Sequence, residues 1–156
     1  MTPEEIKAKK FWAGAILYHP EKKALLMQHR DAFAPVHPNQ WALFGGVGER
    51  GENPDDCLIR ELREEIGMIM KKEDFTPLHD YLIAHLEMWR FVYWANCTLA
   101  KEQMTLGEGA DFDWVPVDVV LSYDMAEATK RDIIFFLDQV SLKKNDTQTM
   151  RFKIFS

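Results

Sequence analysis

Phe11 to Tyr18 reads FWAGAILY, an apolar run closed by the turn-forming His19-Pro20-Glu21-Lys22. Ala24 to Arg30 opens with a second apolar run. Runs of this length between turn residues predict a buried strand and a second strand pairing back on it. Asp31 to Gln40 carries two prolines and reads as a loop leading to a short strand at Trp41. Further along, Tyr81 to Ala84 and Trp89 to Thr98 are strand candidates, the latter rich in aromatic and β-branched residues.

The pattern turns helical elsewhere. Leu58, Leu62 and Ile66 recur every four residues, the spacing of an apolar stripe that packs on a sheet. Asn53-Pro54 supplies an N-cap and a first-turn proline, and Gly67 a left-handed stop, so a helix of about thirteen residues is expected between them. Thr2-Pro3-Glu4-Glu5 reads as the capping box of a short N-terminal helix. Asp124-Met-Ala-Glu127 caps a last helix running to about Val140, with Ile133, Phe136, Leu137 and Val140 on one face. The tail from Ser141 is polar and ends in Phe152-Lys-Ile-Phe155, to which the pattern assigns no role. Strands and helices alternate without repeat or linker, predicting one mixed α/β domain over residues 1–156.

Composition narrows the function. Apolar residues make up 47 % of the chain, enough for a packed core. No run has membrane length and no charged-then-apolar leader opens the chain, so a cytoplasmic protein is expected. Cys57 and Cys97 lack metal-type spacing and read as free, buried thiols. A net charge of −6 argues against a nucleic-acid partner, which calls for a basic stripe. It does not oppose a phosphate-bearing substrate, because bound cations invert the charge of an acidic site.

Such a site is visible on the predicted helix. Glu61, Glu64 and Glu65 stand at i, i+3 and i+4, so three carboxylates crowd one face. Like charges at this spacing cost a bare helix a few tenths of a kcal/mol. Arg60 and Arg63 are near in sequence but are expected to point toward a different side. The cluster is therefore read as a site for hard divalent cations, which take oxygen ligands and share substrate phosphates. Before the helix, Trp41-Ala-Leu-Phe leads into Gly45-Gly46-Val-Gly-Glu-Arg-Gly51, a loop whose glycines allow close approach to a ligand.

The spacing Gly46, Glu52, Arg60-Glu61-Leu62, Glu64-Glu65, Gly67-Met68 resembles, at every defined position, the signature box of the Nudix hydrolases. That resemblance implies an α/β/α sandwich with a central mixed sheet, the box forming a loop-helix-loop at one edge. It implies hydrolysis of a nucleoside diphosphate linked to another group, with Mg²⁺, for which Mn²⁺ can substitute. It also implies metal ligands: the Gly45 carbonyl, Glu61, Glu64, Glu65 and an acid downstream of the helix. Glu108 is the candidate for the last, with Asp111 and Asp113 as rivals, and a solvated loop acid is the alternative for each. Glu64 is the first choice for the base, and Arg60 would orient or balance a carboxylate.

Other residues keep two readings. Trp41 and Phe33 are core or sheet residues, or else stack a nucleobase. Arg30 and Arg90 are surface arginines, or else hold a phosphate through the planar fork. His29, His37, His79 and His85 show no metal spacing and read as surface or core histidines. The expected partner is a small nucleotide-derived substrate, a nucleoside triphosphate or a nucleotide sugar, with water attacking phosphorus; a homodimer is left open. Two alternatives remain. The layout Gln28-His-Arg-Asp31, Gln40-Trp-Ala-Leu-Phe-Gly-Gly46 and a later Asp111-Phe-Asp-Trp114 loosely resembles GDP-mannose mannosyl hydrolases, which attack the sugar carbon, although their box is degenerate and this one is complete. A Nudix-fold nucleotide sensor is the other.

Overall fold

A computed structural model describes residues 10–35, 38–107 and 111–144, with side chains up to 139. The expected N-terminal helix and the Phe152 to Phe155 segment lie outside the described residues. The strands are β1 (Phe11–His19), β2 (Ala24–His29), β3 (Trp41–Ala42), β4 (Phe44–Val47), β5 (Thr76–Ile83), β6 (Met88–Asn96) and β7 (Asp111–Pro116). The helices are α1 (Pro54–Ile66) and α2 (Glu127–Lys144).

The strands form one mixed sheet in the order β3-β2-β1-β6-β5, with β4 added to β1 and β7 to β2. β1 and β6 run parallel from Phe11↔Trp89 to Tyr18↔Asn96, and the other pairings are antiparallel. One edge of β1 is divided. Its start pairs with β4, through Trp12↔Val47 to Ala15↔Phe44, and its end pairs with β2 at Tyr18↔Leu25 and His19↔Ala24. The sheet forks there, and the fork leaves β4 free to carry the glycine loop.

Apolar residues cover both faces. Ala13, Ala15, Leu17, Leu26, Phe44, Phe91 and Tyr93 pack with Leu58, Leu62 and Ile66 of α1. Ile16, Leu25, Met27, Val92, Trp94 and Val115 pack with Ile133 and Phe136 of α2. Burial on both sides explains why β1, β2 and β6 read as continuous apolar runs rather than alternating ones. The result is the expected α/β/α sandwich. No helix among the described residues is long and apolar enough to cross a membrane. Cys57 and Cys97 are buried free thiols, as expected.

Some boundaries differ. β5 begins at Thr76, five residues before the expected Tyr81, because Pro77 and polar His79 and Asp80 hide it and a bulge between Pro77 and His79 breaks its alternation. α2 continues to Lys144, past the expected stop near Val140. Leu62 is fully buried between α1 and the sheet. Leu62→Ala should therefore lower the unfolding free energy by about 2–5 kcal/mol, read from urea denaturation.

Candidate active site

α1 starts and stops where its caps dictate. Asn53 Oδ1 accepts from the Asp56 amide at 2.9 Å and Pro54 opens the first turn. Gly67 takes φ 67° and its amide donates to Arg63, while the Met68 amide donates to Leu62. The loop before the helix closes on itself: the Glu52 amide donates to the Glu49 carbonyl, and the Glu49 amide to Glu52 Oε1. Gly51, at φ 84°, supplies the left-handed residue this turn needs. Glu52 is thereby held at the mouth of the helix, its carboxylate turned to Arg60.

The centre of the arrangement is Arg60. Its Nε and Nη2 donate to the two oxygens of Glu52 at 2.8 and 3.0 Å. Its Nη1 donates to Glu61 Oε1 at 2.9 Å and to Glu64 Oε2 at 3.2 Å. The expectation that Arg60 points toward a different side is thus incorrect. The long side chain folds back over the turn and its planar fork reaches carboxylates at i+1, i+4 and eight residues upstream. The Arg60 hydrogen bonds hold the Glu52 carboxyl below its usual range. Burial pushes the Glu61 carboxyl up, against the pull of Arg60. Both carboxylates are mostly buried, whereas Glu64 is 55 % exposed.

Glu61 and Glu65 meet β4. A Cβ on Gly46 would stand 2.8 Å from Glu61 Oε2, so only glycine lets that carboxylate lie flat on the strand. The Gly45 amide donates to Glu65 Oε2 at 3.1 Å, and Glu61 lies within hydrogen-bonding reach of Glu65. The Gly48 amide donates to the Phe11 carbonyl, so bonded pairs alternate along β1 and β4 and Gly14↔Gly45 is a non-bonded pair. The amide and carbonyl of Gly45 therefore both point away from β1, and the amide meets Glu65. Cys57, under the same loop, lies with Sγ 3.4 Å from the Gly46 carbonyl, and burial pushes its thiol up to about 12.

Among the described residues, no three His, Cys, Asp or Glu side chains form a ready-made metal cage. The donors that do converge, Glu61, Glu65 and the Gly45 carbonyl, are all oxygens on an open edge. That set fits a hard cation that keeps waters and accepts substrate oxygens.

Glu108 lies outside the described residues. Its neighbour Gly107 is tied to α1, its amide donating to the Glu65 carbonyl at 2.7 Å. Asp111 and Asp113 are exposed on β7, alternating with Phe112 and Trp114, which face the α1 layer. Asp111 is paired with Lys101 at 3.0 Å. Trp41 packs on the α2 side of the sheet between His29 and Tyr123. Phe33 is 94 % exposed, and Arg30 is half-buried at the end of β2. Arg90 fits neither of its two readings: it is 7 % exposed, bonded to Asp132 and stacked on Trp12. His79 Nε2 lies 2.8 Å from the same Asp132, and His37 is outside the described residues. The part played by Glu52 goes beyond the sequence expectations, in which its one signal is its place in the box, eight residues before Arg60.

An acidic helix locked by one arginine against a double-glycine strand, inside an α/β/α sandwich, defines a class of phosphoanhydride hydrolases. The chain belongs to the NUDIX domain family, whose model matches residues 9–136, and is a Nudix pyrophosphohydrolase. It is similar to the nucleoside triphosphatase NudI of Klebsiella pneumoniae, 36 % identical over 105 residues that cover 61 % of this chain and 74 % of that protein. The NudI of Escherichia fergusonii is 33 % identical over 108 residues, 63 % of this chain and 77 % of that protein. In fold it resembles the MutT protein of Methanosarcina mazei Go1, with TM-score 0.65 and 20 % identity over 85 % of this chain and 95 % of that one. The E. coli ORF135 protein aligns with TM-score 0.67 and 18 % identity over 86 % and 92 % of the two chains.

Glu52 and Arg60 are the pair on which this corner depends. Removing one partner of a well-buried pair costs about 3–5 kcal/mol, and the wetter rim here lowers that to about 2–3 kcal/mol for Glu52→Gln. Because the folded-state value of Glu52 is lowered, its contribution is complete above the ordinary 4.5 and is lost as pH falls through the lowered value. The stability gap between wild type and Glu52→Gln should therefore shrink on acidification below that point, measured by denaturation across pH.

Proposed function

We propose that this chain is a divalent-metal-dependent hydrolase of a nucleoside diphosphate linked to another group, with water attacking phosphorus. The observation that carries the reading is the meeting of Glu61, Glu65 and the outward-facing Gly45 peptide at one open edge. Of the two substrate classes expected, the NudI relatives favour a nucleoside triphosphate over a nucleotide sugar. Two buried, unpaired thiols favour a reducing compartment such as the cytoplasm.

Glu61, Glu65 and the Gly45 carbonyl would hold Mg²⁺ or Mn²⁺, with Glu64 and Glu108 completing the set. When bound, the cations lower the pKa of water and offset charge on the diphosphate. Arg60 holds Glu61 in place and, through Glu52, fixes the loop to the helix. Glu64 serves as the base: it is the most exposed carboxylate of the three, and Arg60 holds it by a 3.2 Å bond at the rim. Swinging from that bond lets it take a proton from the attacking water. Glu108 is the favoured outside ligand because the chain beside it is bonded to α1, whereas Asp111 is engaged by Lys101.

Glu65→Gln should lower turnover a hundredfold or more while the protein stays folded, with roughly the size of loss known for electrostatic catalytic groups. A panel of nucleoside triphosphates, nucleotide sugars and dinucleotides, assayed with Mg²⁺ or Mn²⁺ for released phosphate or pyrophosphate, identifies the substrate. Full activity in excess chelator would sink the metal reading. Glu108→Gln should weaken metal affinity and turnover while Asp111→Asn and Asp113→Asn do little; the reverse pattern moves the ligand into β7. Hydrolysis in ¹⁸O-water should label a phosphate-containing product. Label confined to a free sugar would instead mean attack at carbon.

A further inference from the structure

On the face of the sheet away from α1, a layered contact joins α2 to the glycine strand. Gly14 and Gly45 face each other across β1 and β4, leaving bare backbone on that side. The indole of Trp12 lies across both: a Cβ on Gly14 would collide with its six-membered ring, and one on Gly45 would stand 2.7 Å from Cζ2. The Arg90 guanidinium sits on the indole, 3.8 Å from the ring centroid. Arg90 Nε in turn donates to Asp132 Oδ2 at 2.7 Å. Asp132, fully buried on α2, also accepts from Tyr81 at 2.7 Å and lies 2.8 Å from His79 Nε2.

We propose that Trp12, pressed down by the Arg90–Asp132 pair, is a positioning residue that sets the Gly45 peptide and, through its amide, the Glu65 carboxylate. The inference rests on the metal-dependent reading above. A glycine peptide has no side chain to restrict it, so consecutive Gly45 and Gly46 leave the donor edge of β4 the least restrained part of the site. Aromatic cover of a glycine in a sheet supplies the missing contact. Core filling alone would be served by any apolar side chain of similar volume. The flat ring matched to two facing glycines, with a buried cation held on its other side, is specific to an indole. Loss of the ring should loosen the Gly45 carbonyl and the Glu65 contact together, and both are donors of the proposed cation site.

The test compares Trp12→Leu, Trp12→Phe and Arg90→Lys with Val115→Ala, a core variant on the same face but away from β4. Arg90→Lys keeps the charge that Asp132 needs but loses the flat stack. For each folded variant, Mn²⁺ affinity is titrated through the spin-resonance signal of free Mn²⁺. Melting temperature, kcat and KM are measured alongside. The expected result is Mn²⁺ binding weaker by about tenfold or more in Trp12→Leu, the size seen when partners behind a ligand are removed. Binding should be partly restored in Trp12→Phe, weakened in Arg90→Lys and unchanged in Val115→Ala at a comparable loss of melting temperature. The fall in kcat should exceed the rise in KM. Mn²⁺ affinity unchanged in the Trp12 and Arg90 variants while wild type binds Mn²⁺ and turns over would overturn this inference alone. Should Trp12→Leu not fold, Trp12→Phe and Arg90→Lys decide by the same comparison. Wild type that neither binds Mn²⁺ nor hydrolyses any substrate would overturn the metal-dependent reading and this inference with it.

Discussion

Three glutamates on one helical turn repel each other, and a fourth, Glu52, lies half-buried in the loop before the helix and shares their arginine. Arg60 makes that concentration of charge compatible with a folded helix. Its fork takes both oxygens of Glu52 and one each from Glu61 and Glu64. The planar geometry matters here as much as the charge. A lysine could neutralise one carboxylate, but it could not bridge the loop and two positions of the helix at once. Because the loop, the helix and the carboxylates share this one cation, none of them holds its place independently of the others.

The second constraint comes from the backbone of β4. Gly46 lacks a side chain so that Glu61 can lie against the strand, and Gly45 lacks one because a Cβ would press on the Gly14 Cα at 2.5 Å. Charge from the helix and bare peptide from the strand are thus brought into contact by two absences. The forked edge of β1 makes this possible, since β2 leaves β1 before it reaches the glycines. The opposite face then carries the indole of Trp12, so the two sides of the sheet are linked at the same pair of residues.

Much of this was legible in the residues, and the misses share a cause. The ends of α1 followed from Asn53, Pro54 and Gly67, because capping is local chemistry that sequence displays directly. The faces of β1, β2 and β6 followed from apolar runs. The direction of Arg60 did not, because a long flexible side chain can reach several turns and its partner Glu52 lies in a loop. Neither did the burial of Arg90: its counter-ion Asp132 is remote in sequence, on α2. Nothing local distinguishes a paired core arginine from a surface one. β5 was shortened for a similar reason, its polar residues being absorbed by contacts such as His79 with Asp132 that only the folded chain provides.

The end of α1 is finished by residues from far along the chain. The amides of Thr105 and Gly107 donate to the carbonyls of Ile66 and Glu65, where a helix ordinarily turns to water or its own C-cap. The segment leading toward Glu108 is in that sense a continuation of the helix rather than an independent loop. Its amides should exchange with solvent hydrogen only when the last turn of α1 opens, giving a surface connection the protection of a core element.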